Sequence, residues 1–372
     1  MSDQDARFMR LALSLGRRAQ GQTWPNPAVG CVIAQGSRIV GRGWTSEGGR
    51  PHAEPQALAQ AGAAARGATA YVSLEPCAHH GKTPPCTDAL IAAGIARVVA
   101  PIEDEDPRVS GLGFARLREA GVEVTTGVLQ KKAAYDHAGF FMRMSHERPW
   151  VTLKLANSFD GRIATATGVS QWITGPAARH LVHAMRARHD AVMVGGGTAR
   201  ADDPMLTVRG HGRGHGRGHG VAQQPVRVVV SRKLDLPQAA QLARSASDVP
   251  LWLCHGEDAS DDRRQAWQSL GAVLLPCKME GRSLDIRSVL AQLAQQGLGR
   301  VFCEGGSALA ASLLSANLVD ELVGFTGGVV IGAEGLPSLG AMGISDLGEA
   351  PRFELISSTP IAGDVMHCWG RR

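Results

Sequence analysis

The chain alternates short apolar runs with amphipathic stretches, and it does so on both sides of a polar segment. Runs such as AVGCVIAQ from Ala28 and ATAYVSLE from Ala68 are predicted strands, and helices are predicted over 3–20, 52–61 and 86–94. Strands that alternate with helices are typical of α/β sheets. The proline-containing segment HERPW (146–150) separates two such halves, and 372 residues favour two domains. We therefore predict an α/β protein with domains at 1–147 and 148–372.

Cysteine usage and the N-terminus indicate a reducing compartment. The seven cysteines are odd in number and well spread along the chain. Each half is also long enough to bury a hydrophobic core without disulfide bonds. The first apolar pattern is too short and broken for a signal peptide or a membrane span, so we predict a cytoplasmic protein that does not engage a membrane. In the cytosol, closely spaced cysteines more often bind metal or do chemistry than form disulfides.

Composition alone does not choose a partner. The net charge is +5, only 5% of residues are aromatic, and two of these are Tyr, which is thin for a protein that stacks single-stranded bases. A small phosphorylated substrate would suit a modest excess of Lys and Arg.

The tract GHGRGHGRGHG (210–220) has no apolar residue to bury. We predict a flexible loop without function there, with metal scavenging by its histidines as the alternative.

Two short segments contain the residue types of a catalytic metal site. PHAEP places His52 and Glu54 at the beginning of a predicted helix, and LEPCAHHGKTPPC contains Cys77 and Cys86. One histidine and two thiolates make three ligands, which leaves a fourth position for water, whereas a structural zinc is closed by four protein ligands. Helix N-termini favour thiolate over thiol. Glu54, beside a ligand, is then placed to move protons.

The motifs in this half resemble a known family. H-A-E followed by P-C and a second cysteine resembles the zinc-dependent nucleobase deaminases. Eight residues separate the two cysteines, and PNPAVGCV, HAEP and EPCAHHGKTPPC occur in order. This combination resembles the deaminase domain of bifunctional riboflavin-biosynthesis proteins. The resemblance implies a cytidine-deaminase-like three-layer fold, Zn²⁺ on His52, Cys77 and Cys86, a proton-carrying Glu54, and a phosphorylated pyrimidine substrate contacted by Asn26, His79 and Lys82. On the residues alone, Asn26 could shape a turn and Lys82 could be a surface charge.

The second half lacks the G-x-G-x-x-G fingerprint of a Rossmann domain. RVFCEGGSALAASLL instead predicts a strand, a glycine turn and a helix whose N-terminus can bind an anion. With KLANSFDGRIA, SQWITG and VGGGTARADDPMLTVR, it resembles the dihydrofolate-reductase-like reductase domain of the same family. The resemblance implies substrate contacts at Ser170, Arg186, Leu206, Arg209 and Glu304. It implies NADPH contacts at Ala156, Trp172, Thr198, Asp202, Ser231, Gly306, Ser307, Ala308, Leu309, Ala310, Ala311 and Ser312.

Two departures from the reductase pattern bear on this interpretation. VVVSRKLD lacks the acidic residue expected beside Ser231, and the GHGR tract follows Arg209 directly. Arg186 and Arg209 suit phosphate binding because guanidinium is a rigid two-pronged donor, although each could be a surface ion pair. Asp202 could position or protonate the opening sugar.

The implied activity is sequential, and other functions remain open on the residues alone. Zinc-dependent deamination of a diaminopyrimidinone ribosyl phosphate precedes hydride transfer from NADPH to the ribose C1′. A nucleic-acid deaminase would need a basic face and stacking aromatics, which the sequence does not offer. A non-catalytic zinc module would need a fourth ligand such as His79 or His80. A reductase with a decayed deaminase is disfavoured because every deaminase position is filled. We also expect a homo-oligomer.

Overall fold

The computed structural model describes residues 2–81, 83–106, 109–210 and 223–371. It divides into two compact units, Met1–Arg148 and Pro149–Arg372. Lys82 and all but the first residue of the GHGR tract lie outside the described residues, and so do the predictions made for them. Within the part that is described, no helix is both long and apolar enough to cross a membrane.

The first unit combines five α-helices with a five-stranded sheet among its described residues. Its helices are α1 (Asp3–Gly16), α2 (Ala53–Ala61), α3 (Cys86–Ala92), α4 (Leu112–Glu119) and α5 (Gln130–His146). Its strands are β1 (Gly30–Gln35), β2 (Arg38–Trp44), β3 (Thr69–Val72), β4 (Arg97–Val99) and β5 (Glu123–Thr125). Short 3₁₀ turns lie at Glu47–Gly49 and Gly62–Ala65.

Helices cover both faces of this sheet, and the interior strand β1 is accordingly buried from Gly30 to Ala34. In β1, Cys31 and Ile33 pack into the core cluster that includes α2, whereas Val32 and Ala34 pack into the cluster that includes α1. Successive side chains of a strand point to opposite faces, so a strand buried on both sides reads as a continuous apolar run. The sheet therefore forms the middle of three layers.

Sheet direction places one set of loops together. The strand order is β2-β1-β3-β4-β5, with β1 antiparallel to both neighbours and β3, β4 and β5 parallel. The carboxyl ends of β2, β3 and β4 and the amino end of β1 therefore meet at one edge. The segments that follow or precede these ends contain the residues predicted for the zinc site.

The second unit is built on a nine-stranded sheet with helices between its strands. Its strands are β6 (Trp150–Ser158), β7 (Arg162–Ala164), β8 (Ala191–Gly195), β9 (Val226–Val230), β10 (Leu251–His255), β11 (Val273–Pro276), β12 (Met279–Glu280), β13 (Ser283–Leu284), β14 (Arg300–Cys303), β15 (Glu321–Gly327), β16 (Leu336–Pro337), β17 (Phe353–Ile361) and β18 (Asp364–Arg371). Its helices are α6 (Pro176–Arg186), α7 (Gly196–Asp202), α8 (Gln241–Arg244), α9 (Asp261–Ser269), α10 (Ile286–Gln295) and α11 (Ser307–Ser315).

The order in this sheet is β11-β10-β9-β8-β14-β6-β15-β18-β17. The first seven strands in this order, which are β11, β10, β9, β8, β14, β6 and β15, are parallel, so their carboxyl ends share one edge. The last two strands, β18 and β17, add to β15 as an antiparallel hairpin. Two small ribbons, β12-β13 and β16-β7, lie outside the main sheet.

The structure confirms the α/β architecture and differs in detail from the predicted elements. The first helix ends at Gly16 rather than at residue 20, because Gly16 packs closely against the backbone of Ala28 and Gly30. The segment GGTARAD forms helix α7, which the three adjacent glycines masked in the sequence. The chain ends in a long hairpin with an exposed outer strand, β17.

A buried carboxylate fastens the loop that follows β4. Glu75 Oε2 accepts hydrogen bonds from the backbone N–H groups of Asp104 (3.0 Å) and Gly111 (3.0 Å). Its Oε1 accepts from Gly113 (2.9 Å) and Phe114 (3.1 Å) at the start of α4. Helix N-termini leave backbone N–H groups unsatisfied, and a buried carboxylate satisfies several at once.

We expect Glu75→Gln to lower the free energy of unfolding by about 2–4 kcal/mol, because an amide NH₂ would face backbone donors that need an acceptor. Urea titration of the purified protein measures this change. Glu119→Gln, at the exposed end of α4, is the matched control and should change stability by no more than about 0.5 kcal/mol. Equal stability of the two variants would contradict a structural role for Glu75.

Candidate active sites

Three elements of the first unit bring a histidine and two cysteines together. His52 is the N-cap residue of α2, Cys77 follows β3, and Cys86 is the first residue of α3. Their candidate ligand atoms all lie within 4.8 Å of one another. His52 Nδ1 is 3.3 Å from Cys86 Sγ and 3.7 Å from Cys77 Sγ. The structure thus brings the three predicted zinc ligands to one point.

The geometry and chemistry of these donors fit zinc. Tetrahedral zinc with bonds of about 2.0–2.3 Å requires ligand atoms roughly 3.5 Å apart. The Nδ1–Sγ distances of 3.3 and 3.7 Å meet this requirement. The backbone N–H of Cys86 also donates to Cys77 Sγ at 3.4 Å, which fixes the orientation of that thiolate.

Electrostatics favour an ionised thiol at Cys77. Hydrogen bonds from Cys86 and then from His52 lower the pKa of Cys77 to about 4, although burial opposes this shift. The hydrogen bond to Cys77 raises the pKa of His52. Negative charge on Cys77 is therefore stabilised by the ligand cluster itself, as a metal-binding thiolate requires.

Glu54 lies in the first turn of α2 and is 2% exposed. Its Oε2 has no hydrogen-bond partner among the residues that the structure describes. Burial, and then the charge of Cys77, raise the pKa of Glu54 above the ordinary value for a glutamate. A buried carboxyl with a raised pKa and a free oxygen is suited to exchange protons with a bound substrate.

These residues open onto a cavity of about 250 Å³. His52, Glu54 and Cys77 form part of its wall, and so do the predicted substrate contacts Asn26 and His79. His79 Nδ1 is buried and has no hydrogen-bond partner in the described part of the chain. An unpartnered donor or acceptor that faces a cavity is available to a ligand.

Asn26 both shapes a turn and lines the cavity. Its backbone N–H donates to Thr23 O at 2.9 Å, and its carbonyl accepts from Thr23 Oγ1 at 3.0 Å. Gly49 has a φ of +83°, and a β-carbon there would collide with the Asn26 side chain. Glycine at this position therefore gives the Asn26 amide its place in the cavity wall.

Besides Glu75, four charged residues that the sequence did not reveal also line the cavity, which are Arg50, Asp104, Asp106 and Arg143. Burial raises the pKa of Asp104 to about 7, with smaller contributions from Asp106 and Glu75. Arginines suit a phosphate, and carboxyl groups can accept hydrogen bonds from amino or hydroxyl groups. No local motif marks these residues, because they come from loops far apart in sequence.

The second unit has a larger cavity, of about 600 Å³, along the carboxyl ends of its parallel strands. Several predicted contacts lie in its wall: Ala156, Ser170, Thr198, Asp202, Glu304, Gly306, Ser307, Ala308, Leu309 and Ser312. Ala310 and Ala311 are buried in α11, behind that wall. Open α/β sheets bind ligands at this edge, beside a reversal of strand order.

Five other predicted contacts are not part of this wall. Trp172 is 68% exposed and stacks on Arg179, whose Cζ is 4.0 Å from the ring centroid. Leu206 is buried, and Ser231 is buried and donates to Asp235 at 3.2 Å. The remaining two are the arginines. Arg209 is exposed and its N–H donates to His183 Nδ1, whereas Arg186 forms an ion pair with Glu304.

Backbone at the middle of this cavity fits an extended phosphorylated cofactor. A β-carbon built at Gly197 or Gly305 would meet no described protein atom within 4 Å, so both glycines leave cavity space that a side chain would fill. Gly305 and Gly306 have φ values of +90° and +81°, which favour glycine. Gly306 is the N-cap residue of α11, whose first N–H groups can bind a pyrophosphate.

A charged group at the β6 end of the cavity includes a lysine that the sequence did not single out. Lys154 lies in the wall with Asp202 and Glu304. Arg186 Nη2 donates to Glu304 Oε2 at 3.0 Å, and Nη1 donates to Thr207 O at 2.8 Å. Burial lowers the pKa of Lys154 and raises the pKa of Asp202. Burial also acts on Glu304, but Arg186 outweighs it and lowers the pKa of that carboxyl.

Comparisons with known proteins cover both units of the chain. Family models match at residues 149–367, described as the RibD C-terminal domain, and at residues 2–101, described as the cytidine and deoxycytidylate deaminase zinc-binding region. The riboflavin biosynthesis protein RibD of Escherichia coli is 39% identical over 97% of this chain and 98% of its own length.

Two solved structures are similar over 99% of both chains. RibD of Acinetobacter baumannii, form 1, is 36% identical with a TM-score of 0.86. The diaminohydroxyphosphoribosylaminopyrimidine deaminase/5-amino-6-(5-phosphoribosylamino)uracil reductase of Thermotoga maritima is 31% identical with a TM-score of 0.84. The chain therefore belongs to the RibD family, the bifunctional riboflavin biosynthesis proteins that join a zinc-binding deaminase to an NADPH-dependent reductase.

Proposed function

We propose that the chain deaminates 2,5-diamino-6-ribosylamino-4(3H)-pyrimidinone 5′-phosphate in residues 1–147 and reduces the resulting uracil derivative in residues 148–372. The observation that carries this proposal is that the ligand atoms of His52, Cys77 and Cys86 lie within 4.8 Å of one another. Glu54, in the same cavity wall, has a buried oxygen without a hydrogen-bond partner among the described residues. A second cavity, with glycine turns and a charged end, supports the reductive step.

In the deaminase site, His52, Cys77 and Cys86 hold zinc and Glu54 moves protons. When bound, zinc supplies an activated water by lowering the pKa of that water. Glu54 takes a proton from the nucleophile and delivers it to the ring nitrogen. It then takes the second proton from the hydroxyl group added to the ring carbon and delivers it to the amino group, so that the C–N bond breaks, ammonia leaves and a carbonyl remains. Asn26 and His79 orient the base, and Arg50 contributes positive charge for the ribose phosphate.

In the reductase site, NADPH supplies the hydride to C1′ of the ribose. The C1′–O4′ bond of the sugar opens, and O4′ takes up a proton. We propose Lys154 as the donor of that proton, because it lines the same cavity as Asp202 and Glu304 and burial lowers its pKa. Arg186 holds Glu304 in position for a hydroxyl group of the substrate.

Two observations favour this function over its rivals. The deaminase cavity of about 250 Å³ suits a single nucleotide better than a strand, and among the described residues Phe140 is the only Phe, Tyr or Trp in its wall. The His79 ring adds no fourth member to the metal cluster found among the described residues, which supports a catalytic rather than a closed structural site.

We further propose a cytoplasmic homo-oligomer. All seven cysteines are free thiols, in keeping with a reducing compartment. The outer strand β17 has no second neighbour in the described sheet, and Leu355 and Ile356 on it are 55% and 58% exposed. A long apolar edge strand invites pairing with another chain, and a second copy would cover it symmetrically.

We expect Glu54→Gln to keep one zinc per chain and to lose at least about 100-fold in deamination rate, because the glutamate carries protons and is not a ligand. Metal analysis and ammonia release measure the two quantities. Cys77→Ser should lower both together. Loss of zinc from Glu54→Gln in proportion to activity would make Glu54 a ligand or a structural residue.

Removal of zinc should separate the two reactions. With a chelator present, NADPH oxidation should stop when the amino precursor is supplied but continue when the deaminated compound is supplied, because only the first site uses the metal. Absorbance at the NADPH band follows both reactions, and circular dichroism checks that the protein stays folded. Equal inhibition of both reactions in a folded protein would refute the sequential order.

Lys154→Met should reduce the reductase kcat by at least about 100-fold and leave deamination unchanged, because the sugar oxygen would lose its proton donor. In the unmodified protein the reductase rate should fall as the pH rises, because deprotonated Lys154 cannot donate a proton. Since burial lowers the pKa of Lys154, this fall should begin at a lower pH than the pKa of a free lysine would give. Lys278→Met, an exposed lysine away from the cavity, is the control. Unaltered kcat in Lys154→Met would remove Lys154 from the mechanism.

A further inference from the structure

Two arginines lie at the end of the reductase cavity where no function has been assigned. Arg232 follows β9, and Arg282 lies in the turn between β12 and β13. Both line the cavity, together with Val230 and Ser283. The cavity therefore has a positively charged end formed by two segments about fifty positions apart in the chain.

Strand order shows which part of a dinucleotide this end would meet. Along the carboxyl edge the strands run β6, β14, β8, β9. Lys154 is on β6, the Gly305-Gly306 turn follows β14, and Gly196-Gly197 follow β8. At about 4.8 Å per strand, β9 lies about 14 Å from β6. A cofactor with its reactive ring near Lys154 and its pyrophosphate at the glycine turns therefore places its adenosine ribose at β9.

The Arg232 guanidinium is held in place before any ligand arrives. Its Nε donates to Asp258 Oδ2 at 2.7 Å, Nη2 is 2.5 Å from the same oxygen, and Nη1 donates to the carbonyl of Arg282 at 2.7 Å. A guanidinium has five N–H donors, and these contacts use three. The Arg232 side chain remains 35% exposed, so the other two donors are accessible.

The charges around this end favour an anion. Asp258 neutralises the charge of Arg232 through an ion pair. Arg282 is exposed and has no ion-pair partner in the described part of the chain. The neighbouring acid, Asp235, is itself paired with Arg200 at 3.0 Å. The residues at the end of β9 are Ser231 and Arg232, and neither is acidic. An acidic residue at this position would bind a ribose 2′-hydroxyl and repel a 2′-phosphate.

We propose that Arg232 and Arg282 bind the 2′-phosphate of NADPH and so determine the preference of this reductase for NADPH over NADH. The inference rests on the proposed reductase function. Arg232 offers its two remaining N–H donors from a fixed position, and Arg282 closes over the phosphate from the β12-β13 turn. Arginine suits this task because its planar fork matches phosphate oxygens.

The test compares two cofactors that differ only in the 2′-phosphate. Arg232→Gln and Arg282→Gln should each raise the KM for NADPH about 10-fold with the deaminated substrate, as expected for loss of a charge-assisted hydrogen bond. The KM for NADH and kcat should stay within error of the unmodified protein. Arg232→Lys should recover part of the loss. Arg244→Gln, an exposed arginine on α8 outside the cavity, should leave both KM values unchanged.

A binding measurement separates this inference from the function it rests on. Calorimetric titration with 2′,5′-ADP and with 5′-AMP should show a loss of affinity only for 2′,5′-ADP in the two Gln variants. If the unmodified protein does not oxidise NADPH, the proposed function fails. If it does, but the variants lose NADPH and NADH equally or lose neither, the 2′-phosphate assignment is wrong. Arg282→Gln changes an exposed side chain, so it decides the matter even if Arg232→Gln unfolds.

Discussion

Both sites depend on one constraint, which is that strands running in the same direction end at the same edge of a sheet. In the first unit, β2, β3 and β4 end where β1 begins, and the loops there contribute Asn26, His52, Cys77 and Asp104. In the second unit, β6, β8, β9 and β14 end together around the larger cavity. At such an edge the backbone leaves the sheet ladder, so its N–H groups and the loop side chains become available for chemistry.

The first site was largely predictable because its residues lie in short motifs with fixed local structure. His52 precedes a helix whose sequence AEPQALAQA begins with an acidic first turn, and Cys86 opens another helix after two prolines. Helix starts point their N–H groups and first side chains at a common region, so a histidine, a glutamate and two cysteines at these positions imply a cluster. The structure places the candidate ligand atoms of His52, Cys77 and Cys86 within 4.8 Å of one another.

Residues brought in by the fold rather than by a motif could not be predicted. Glu75 lies within the EPC motif, yet its role depends on four N–H groups between residues 104 and 114. Lys154 reads as a polar interruption of an apolar strand and becomes notable only when Glu304 and Asp202 stand beside it. Arg186 was expected at a phosphate, whereas the structure pairs it with Glu304. A charge pattern along the chain cannot distinguish a free arginine from one held by a carboxylate, because that partner is 118 residues away.

The two sites also differ in which atoms perform recognition, and this decides how each tolerates substitution. At the metal cluster the groups are side chains, so a change of one atom type, such as sulfur to oxygen at Cys77, removes a ligand while the backbone can stay in place. Around the reductase cavity much of the surface is backbone at Gly197, Gly305 and Gly306, where a β-carbon would enter the cavity or strain a positive φ. Side-chain identity there matters most at the two ends, Lys154 and the Arg232–Arg282 pair. Backbone contacts in the middle can hold any nicotinamide dinucleotide, so selectivity between NADPH and NADH, which differ only in the 2′-phosphate, would come from the Arg232–Arg282 end.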